Sequence, residues 1–269
     1  MATIGIFDSG VGGLSVFREI RKVLPDEKYV YFADNAYCPY GEKEPEQILD
    51  RAREISDFLL YKGADIIVVA CNTATAAAIA ALREEYSKPN PRVNALTQGR
   101  IDHIRFIGME PAVKPAALHT RSGVIGVLAT AGTLSADKYL NTKGQYENDV
   151  RIIEHVGDGF VELVERGIVN GPEAESVVRA SVQPLLDEGA DHIVLGCTHY
   201  PFLQDTIRAI AGPDVKIIDP APAVAQQLLK VMEEEGIKKA APQSGLPENV
   251  CLCASGAKDV LFRIYSSLA

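Results

Sequence analysis

"LLDEGADHIVLGCTHYP", Leu185–Pro201, is the stretch whose reading decides the fold. A helix end runs into a Gly-Ala-Asp turn and an apolar run, which closes on a cysteine with a histidine two places beyond. "LLYKGADIIVVACNTAT", Leu59–Thr75, has the same shape. Between Leu59–Cys71 and Leu185–Cys197 eight of thirteen positions are identical without a gap, at an offset of 126 residues. A weaker match sets "IGIFDS" (Ile4–Ser9) over "IGVLAT" (Ile125–Thr130) at an offset of 121. Two apolar strands often match by chance. The first match, however, also takes in the turn, the preceding helix end and the terminal cysteine. It predicts two similar halves, each with one thiol at the tip of an equivalent strand.

Working outward, short apolar runs alternate with amphipathic stretches along nearly the whole chain. Strands are expected at 3–7, 28–33, 65–70, 106–109, 124–129, 151–155, 192–196, 216–218 and 249–254, and helices at 13–23, 46–61, 74–85, 159–166, 172–188, 201–210 and 221–235. This alternation means right-handed βαβ crossovers, and near-continuous Ile/Val runs suit strands covered on both faces. The fold class is therefore α/β, with two similar domains of mostly parallel sheet related by a pseudo-twofold axis. The expected boundaries are 1–97 plus 212–269 for the first domain and 98–211 for the second. The polar segment 86–106, with Pro89 and Pro91, reads as a long connector between the halves, and 238–249 as a loop. Ligands of such sheets bind off the carboxyl ends of the strands. If the two sets of strand tips face each other, Cys71 and Cys197 line opposite sides of one cleft.

Composition removes several function classes. With 47% hydrophobic and 23% charged residues over 269 positions, this is ordinary globular material. No apolar run approaches the ~18–20 residues that cross a membrane, and "MATIGIFDSG" reads as a first strand rather than an export signal. Five cysteines without a CxxC pair favour reduced thiols in the cytoplasm over a disulfide framework or a zinc ribbon. A net charge of −9 speaks against a nucleic-acid partner.

The halves differ where chemistry requires it. Asp8 has Ala129 as its counterpart, and His199 has Thr73, so one thiol is expected near a carboxylate and the other near an imidazole. A thiol at a helix N-terminus is stabilised as thiolate by the dipole and the free N–H groups. Four chemistries fit these residues. They are metal binding through Cys71, Cys197, His199 and Asp8, a redox disulfide, a thiol nucleophile with His199 as base, and two-base proton transfer at a carbon. The metal ligands lack the usual local spacing. The cleft should hold the sulfurs too far apart to bond, and a nucleophile leaves Cys71 unexplained. Two-base proton transfer uses both thiols and needs no cofactor. A glycine loop, "DSGVGGLS" (Asp8–Ser15), resembles a dinucleotide fingerprint, but Ser15 stands where a glycine is wanted and Asp8 would oppose a pyrophosphate. A small carboxylate held by Ser9 and backbone N–H groups suits the loop better. A non-catalytic binding module is the competing class, and two reactive thiols speak against it.

"IFDSGVGG", "PYG", "ACNTA" and "LGCTHYP", in this order and spacing, resemble the cofactor-independent glutamate racemases over nearly the whole chain. The resemblance implies interconversion of L- and D-glutamate for peptidoglycan synthesis by a cytoplasmic enzyme without metal or cofactor, usually a homodimer. Residue by residue, it implies that Cys71 and Cys197 are the catalytic thiols, assisted by Asp8 and His199, with Glu165 near the second thiol. It places Ser9, Tyr40, Gly41, Asn72, Thr73, Thr130, Thr133 and Thr198 against the amino acid. The family's usual Cys-Pro before the Glu165 segment reads Gly157-Asp158 here, and segment 88–105 is longer than is usual. The N-terminal extension of precursor-activated racemases has no counterpart in the sequence, so such activation is not expected. No Arg or Lys falls inside these motifs, so hydroxyls, amides and helix N-termini would hold the substrate carboxylates.

Overall fold

The computed structural model describes residues 1–241 and 249–268, so 242–248 of the expected loop at 238–249 lie outside the described residues. Among the described residues there are nine strands: β1 (Thr3–Asp8), β2 (Lys28–Ala33), β3 (Ile66–Val69), β4 (Phe106–Ile107), β5 (Val124–Ala129), β6 (Arg151–Val156), β7 (His192–Gly196), β8 (Lys216–Ile218) and β9 (Val250–Ala254). The chain forms two compact units, Met1–Met109 with Ala221–Ala269, and Glu110–Pro220.

The first unit holds a five-stranded sheet in the order β4-β3-β1-β2-β9, and every pairing is parallel. Its central strands β1 and β3 are apolar and almost wholly buried, as parallel strands covered on both faces are. The second unit holds a four-stranded parallel sheet in the order β6-β5-β7-β8. Reversed, that order is β8-β7-β5-β6, which matches β4-β3-β1-β2 strand for strand. The register repeats as well. Ile4 lies opposite Ile66 and Ile125 opposite His192, the pairing that offsets of 121 and 126 require. One pair of glycines shares the pattern: Gly5 packs under Leu59 and Gly126 under Leu185.

Strand pairing moves the expected domain boundaries. β4 lies beside β3, so 98–109 belong to the first unit, and β8 lies beside β7, so 212–220 belong to the second. Segment 86–106 is not a connector between the halves, because it lies inside the first unit. Pro91 opens a helix, Pro91–Leu96, since proline suits the first helical position and the Asn90 side chain caps the Arg92 N–H at 2.8 Å. The Arg100 guanidinium pins the segment to the Asp65 carboxylate and the Ala64 carbonyl. The helix expected from 201 begins as a 3-10 turn, Tyr200–Leu203, and becomes α-helical over Gln204–Ala211. Short helices at Val113–His119, Asp137–Gly144 and Asp259–Ser266 were not expected.

Candidate active site

In the first unit the candidate residues gather at the carboxyl ends of β1, β2 and β3. β1 delivers Asp8 into the loop Ser9–Gly13, and Asp8 Oδ2 accepts hydrogen bonds from the backbone N–H of Gly10 (3.2 Å) and Gly13 (2.9 Å). Gly13 is required for space: a Cβ there would sit 2.7 Å from Asp8 Cβ and 2.8 Å from the Tyr31 hydroxyl. That hydroxyl donates to the Gly10 carbonyl at 3.0 Å and closes the loop from the other side. Here glycines let the backbone wrap a buried carboxylate rather than a phosphate.

Cys71 follows β3 and is the N-cap of the helix Asn72–Tyr86. Its sulfur accepts from the Ala74 N–H at 3.4 Å and lies 3.8 Å from the Ser9 hydroxyl. The free N–H and the positive end of the helix stabilise negative charge on sulfur. The thiol is buried, and Ser9, Asn72 and Thr73 beside it are buried too. Asn72 is only 3% exposed, yet its side-chain Oδ1 and Nδ2 find no hydrogen-bond partner among the described residues. An unmatched buried amide of this kind costs ~1–3 kcal/mol. A donor and an acceptor set one residue from the thiol suit an amino-acid carboxylate and ammonium.

Tyr40 and Gly41 stand in a 3-10 turn, Tyr40–Glu42, in the loop between β2 and the helix Pro45–Tyr61. Tyr40 is buried, and its hydroxyl donates to Asp34 Oδ2 at 2.5 Å. Burial comes first among the causes that push the phenol well above its ordinary range, followed by the Asp34 carboxylate and then by charge on Cys71.

In the second unit the residues gather at the ends of β5 and β7. Cys197 directly follows β7 and lies 3.7 Å from Nδ1 of His199, whose Nε2 is 2.7 Å from Glu165 Oε1. With Glu165 ionised, Nε2 donates to it, and in the neutral ring Nδ1 then presents its lone pair to the thiol. The imidazole is 1% exposed and Glu165 closes the short helix Phe160–Glu165, so this relay is held from within the unit. The departure from the family pattern at Gly157-Asp158 leaves Glu165 on His199. Thr198 is buried beside the thiol. At the end of β5 the Thr130 and Thr133 hydroxyls are 3.0 Å apart, and Thr133 is buried.

Sequence reasoning did not assign Tyr200. It is fully buried, its hydroxyl reaches the Gly157 carbonyl at 3.4 Å, and a Cβ at Gly157 would lie 2.6 Å from that hydroxyl. Burial, and then charge on Cys197, push its phenol up, so it stands in the electrostatic reach of the thiol. The only signal was its place inside "CTHYP".

This combination defines a class: a doubled parallel α/β protein carrying one buried thiol, with a polar neighbour, at the equivalent strand tip of each unit. The chain belongs to the Asp/Glu/hydantoin racemase family, whose model matches residues 4–228. It is 47% identical over 236 residues to a glutamate racemase of Roseiflexus sp. (strain RS-1), covering 88% of this chain and 81% of the relative. A glutamate racemase of Methylococcus capsulatus is 48% identical over 234 residues, with 87% and 80% covered. Among solved structures, Escherichia coli glutamate racemase in complex with L-glutamate and the activator UDP-MurNAc-ala matches with a TM-score of 0.83 at 30% identity, covering 100% of this chain and 95% of that one. Glutamate racemase from Bacillus anthracis gives a TM-score of 0.78 at 31% identity, with 99% and 93% covered. No helix among the described residues is long and apolar enough to cross a membrane.

Proposed function

We propose that this protein interconverts L- and D-glutamate by proton transfer between the α-carbon and two cysteines, Cys71 and Cys197. The observation that carries the reading is the placement of both thiols at the same point of a repeated fold, each beside a group suited to assist it. Cys71 takes the α-proton of D-glutamate and Cys197 that of L-glutamate. In either direction the thiolate on one face accepts the proton and leaves a planar carbanion. The thiol on the opposite face then donates its own. The product is the mirror-image amino acid, with the protonation states of the two sulfurs exchanged.

Asp8 and Ser9 serve the Cys71 side, and His199 with Glu165 the Cys197 side. Asn72, Thr73, Tyr40, Gly41, Thr130, Thr133 and Thr198 hold the substrate. No guanidinium or ammonium is called for, because hydroxyls, amides and N–H groups in a desolvated site can together stabilise the carboxylates and the developing charge. The α-hydrogen is far less acidic than a thiol, so this preorganised stabilisation has to supply much of the rate. Within a bacterium the reaction supplies D-glutamate for peptidoglycan, in the cytoplasm, from a homodimer.

The test is incubation of L-glutamate with the protein in deuterated water, with a chelator and no added cofactor, followed by polarimetry and mass spectrometry. Optical rotation should decay to zero, and the D-glutamate formed should carry one α-deuterium. Unchanged rotation with glutamate, alongside turnover of aspartate in the same assay, would overturn the substrate assignment.

A further inference from the structure

Asp34 directly follows β2 and has no part in the chemistry described above. Its side chain is nevertheless 0% exposed, and it collects three donors. Arg51, from the helix Pro45–Tyr61, grips both oxygens, Nη2 to Oδ1 at 2.7 Å and Nε to Oδ2 at 3.0 Å, and Tyr40 donates to Oδ2 at 2.5 Å. The same guanidinium lies over the Tyr37 ring, 4.1 Å from its centroid, and pairs with the Glu54 carboxylate. Arg51 therefore touches both ends of the loop Tyr37–Tyr40, one through its ring face and the other through the shared carboxylate. The Tyr40–Glu42 turn in turn packs on the helix that Cys71 caps, and Tyr40 and Cys71 share one core cluster.

We infer that Arg51 is a positioning residue for the reaction: through the buried Asp34 carboxylate it fixes the Tyr40 phenol, and with it the Pro39-Tyr40-Gly41 turn, beside Cys71. The planar fork is what the job needs. A bidentate guanidinium–carboxylate pair sets orientation as well as charge, and the second lone pair of Oδ2 stays aimed at the phenol. A lysine at 51 would keep the charge and lose the geometry. The inference rests on the reading of Tyr40 and Gly41 as substrate-holding residues, and it adds that residues one layer away set how tightly substrate is held.

A double-mutant cycle on the full chain, with Arg51→Lys, Tyr40→Phe and the pair, tests it. Each single change should raise KM for glutamate about tenfold, about 1.4 kcal/mol of binding, with a smaller fall in kcat. The pair should cost little more than either alone, because both changes break one chain of contacts. Additive effects, or a lowered Tm with KM unchanged, would overturn the role and leave Arg51 a structural residue. A readout that needs no turnover separates this inference from the assigned reaction. Alkylation of Cys71 by iodoacetamide, followed by peptide mapping, should speed up about fivefold or more in Arg51→Lys as the turn loosens over a buried thiol. If glutamate is not racemised but Cys71 alkylation still responds, the reaction is wrong and the positioning stands. An unchanged alkylation rate with normal KM in Arg51→Lys sinks the positioning alone.

Discussion

The first unit sets a helix N–H and a serine hydroxyl at its thiol, and the second sets an imidazole backed by a carboxylate. Cys71 caps an α-helix and takes an N–H from Ala74, while the Asp8 carboxylate, at the tip of β1, is engaged by the N–H groups of Gly10 and Gly13. Cys197 is followed by a turn and a 3-10 helix, and what addresses its sulfur is His199, backed by Glu165. The scaffold beneath is the same: matched strand order, matched register and one glycine under one leucine in each sheet. A repeated fold can thus fix where a reactive atom stands without fixing how it is tuned. For a racemase this division is apt, because the substrate presents mirror-related faces while the two proton transfers have different surroundings.

The largest effects should come from the sulfurs themselves. Serine at 71 or 197 keeps the shape and loses the acidity that general acid–base work requires, so racemisation in either direction should fall about 10²–10⁴-fold. The comparison predicts what survives. Cys71→Ser should still wash deuterium into L-glutamate through Cys197, and Cys197→Ser should do the same to D-glutamate through Cys71, in each case without inversion. NMR of the α-proton in deuterated water reads both. Racemisation at the unaltered rate by either variant would break the two-thiol scheme.

Changes one step back from the sulfurs should be smaller and one-sided. Glu165→Gln keeps an oxygen that can accept from His199 Nε2 but removes the carboxylate charge that favours the imidazolium formed when the ring takes the Cys197 proton. Exchange of the L-glutamate α-proton should then slow about 10–10²-fold, with exchange of D-glutamate much less affected. Asp8→Asn should show the opposite bias, since the Asn carbonyl oxygen can still accept from Gly10 and Gly13 and only the charge is lost. Equal slowing of both exchanges by Glu165→Gln would show that the relay serves the whole site rather than one thiol.

How much of this could be read in the sequence depends on the physical origin of each signal. Strands β2, β5, β7 and β8 fall on the expected residues because apolar runs with sharp polar ends are set by burial of the strand itself. The domain boundaries could not be read that way. β4 is two residues long and β8 three, and which sheet receives a short edge strand depends on partners distant in sequence. Pro89 and Pro91 suggest a connector, whereas Pro91 with Asn90 is a helix start, and only the residues after Pro91 distinguish the two. At the site, motif residues were legible because chemistry restricts their types. Asp34 with Arg51, and Tyr200 with Gly157, were not, because their roles arise from side chains meeting across elements. Asp8 was expected to pair with Cys71, and hydrogen bonds of each run to other partners. The Ser9 hydroxyl stands beside the sulfur, while N–H groups of the glycine loop engage the carboxylate.

The smallest effects should separate shared packing from shared ancestry. Gly5 and Gly126 occupy the same place in β1 and β5, and the residues above them, Leu59 and Leu185, are also repeat partners. A Cβ on Gly126 would lie 2.8 Å from Leu185 Cδ1 and 3.2 Å from Leu185 Cβ. On Gly5 it would lie 3.1 Å from Ala64 Cβ and 3.2 Å from Leu59 Cδ1. Alanine at either position overpacks the contact between strand and helix, at a cost of about 1–3 kcal/mol, with the tighter Gly126 site the more sensitive. Urea unfolding should show lower midpoints with unchanged slopes, and the folded fraction should keep its KM, since neither residue is at a strand tip. Shortening the leucine above should relieve part of the cost, so Gly126→Ala with Leu185→Val should be less destabilised than the two single changes summed. If both alanine variants are as stable as the parent, the paired glycines mark only common descent of the halves. If both are destabilised and both are relieved by the shorter side chain, the repeated glycine is kept by the same contact in each sheet.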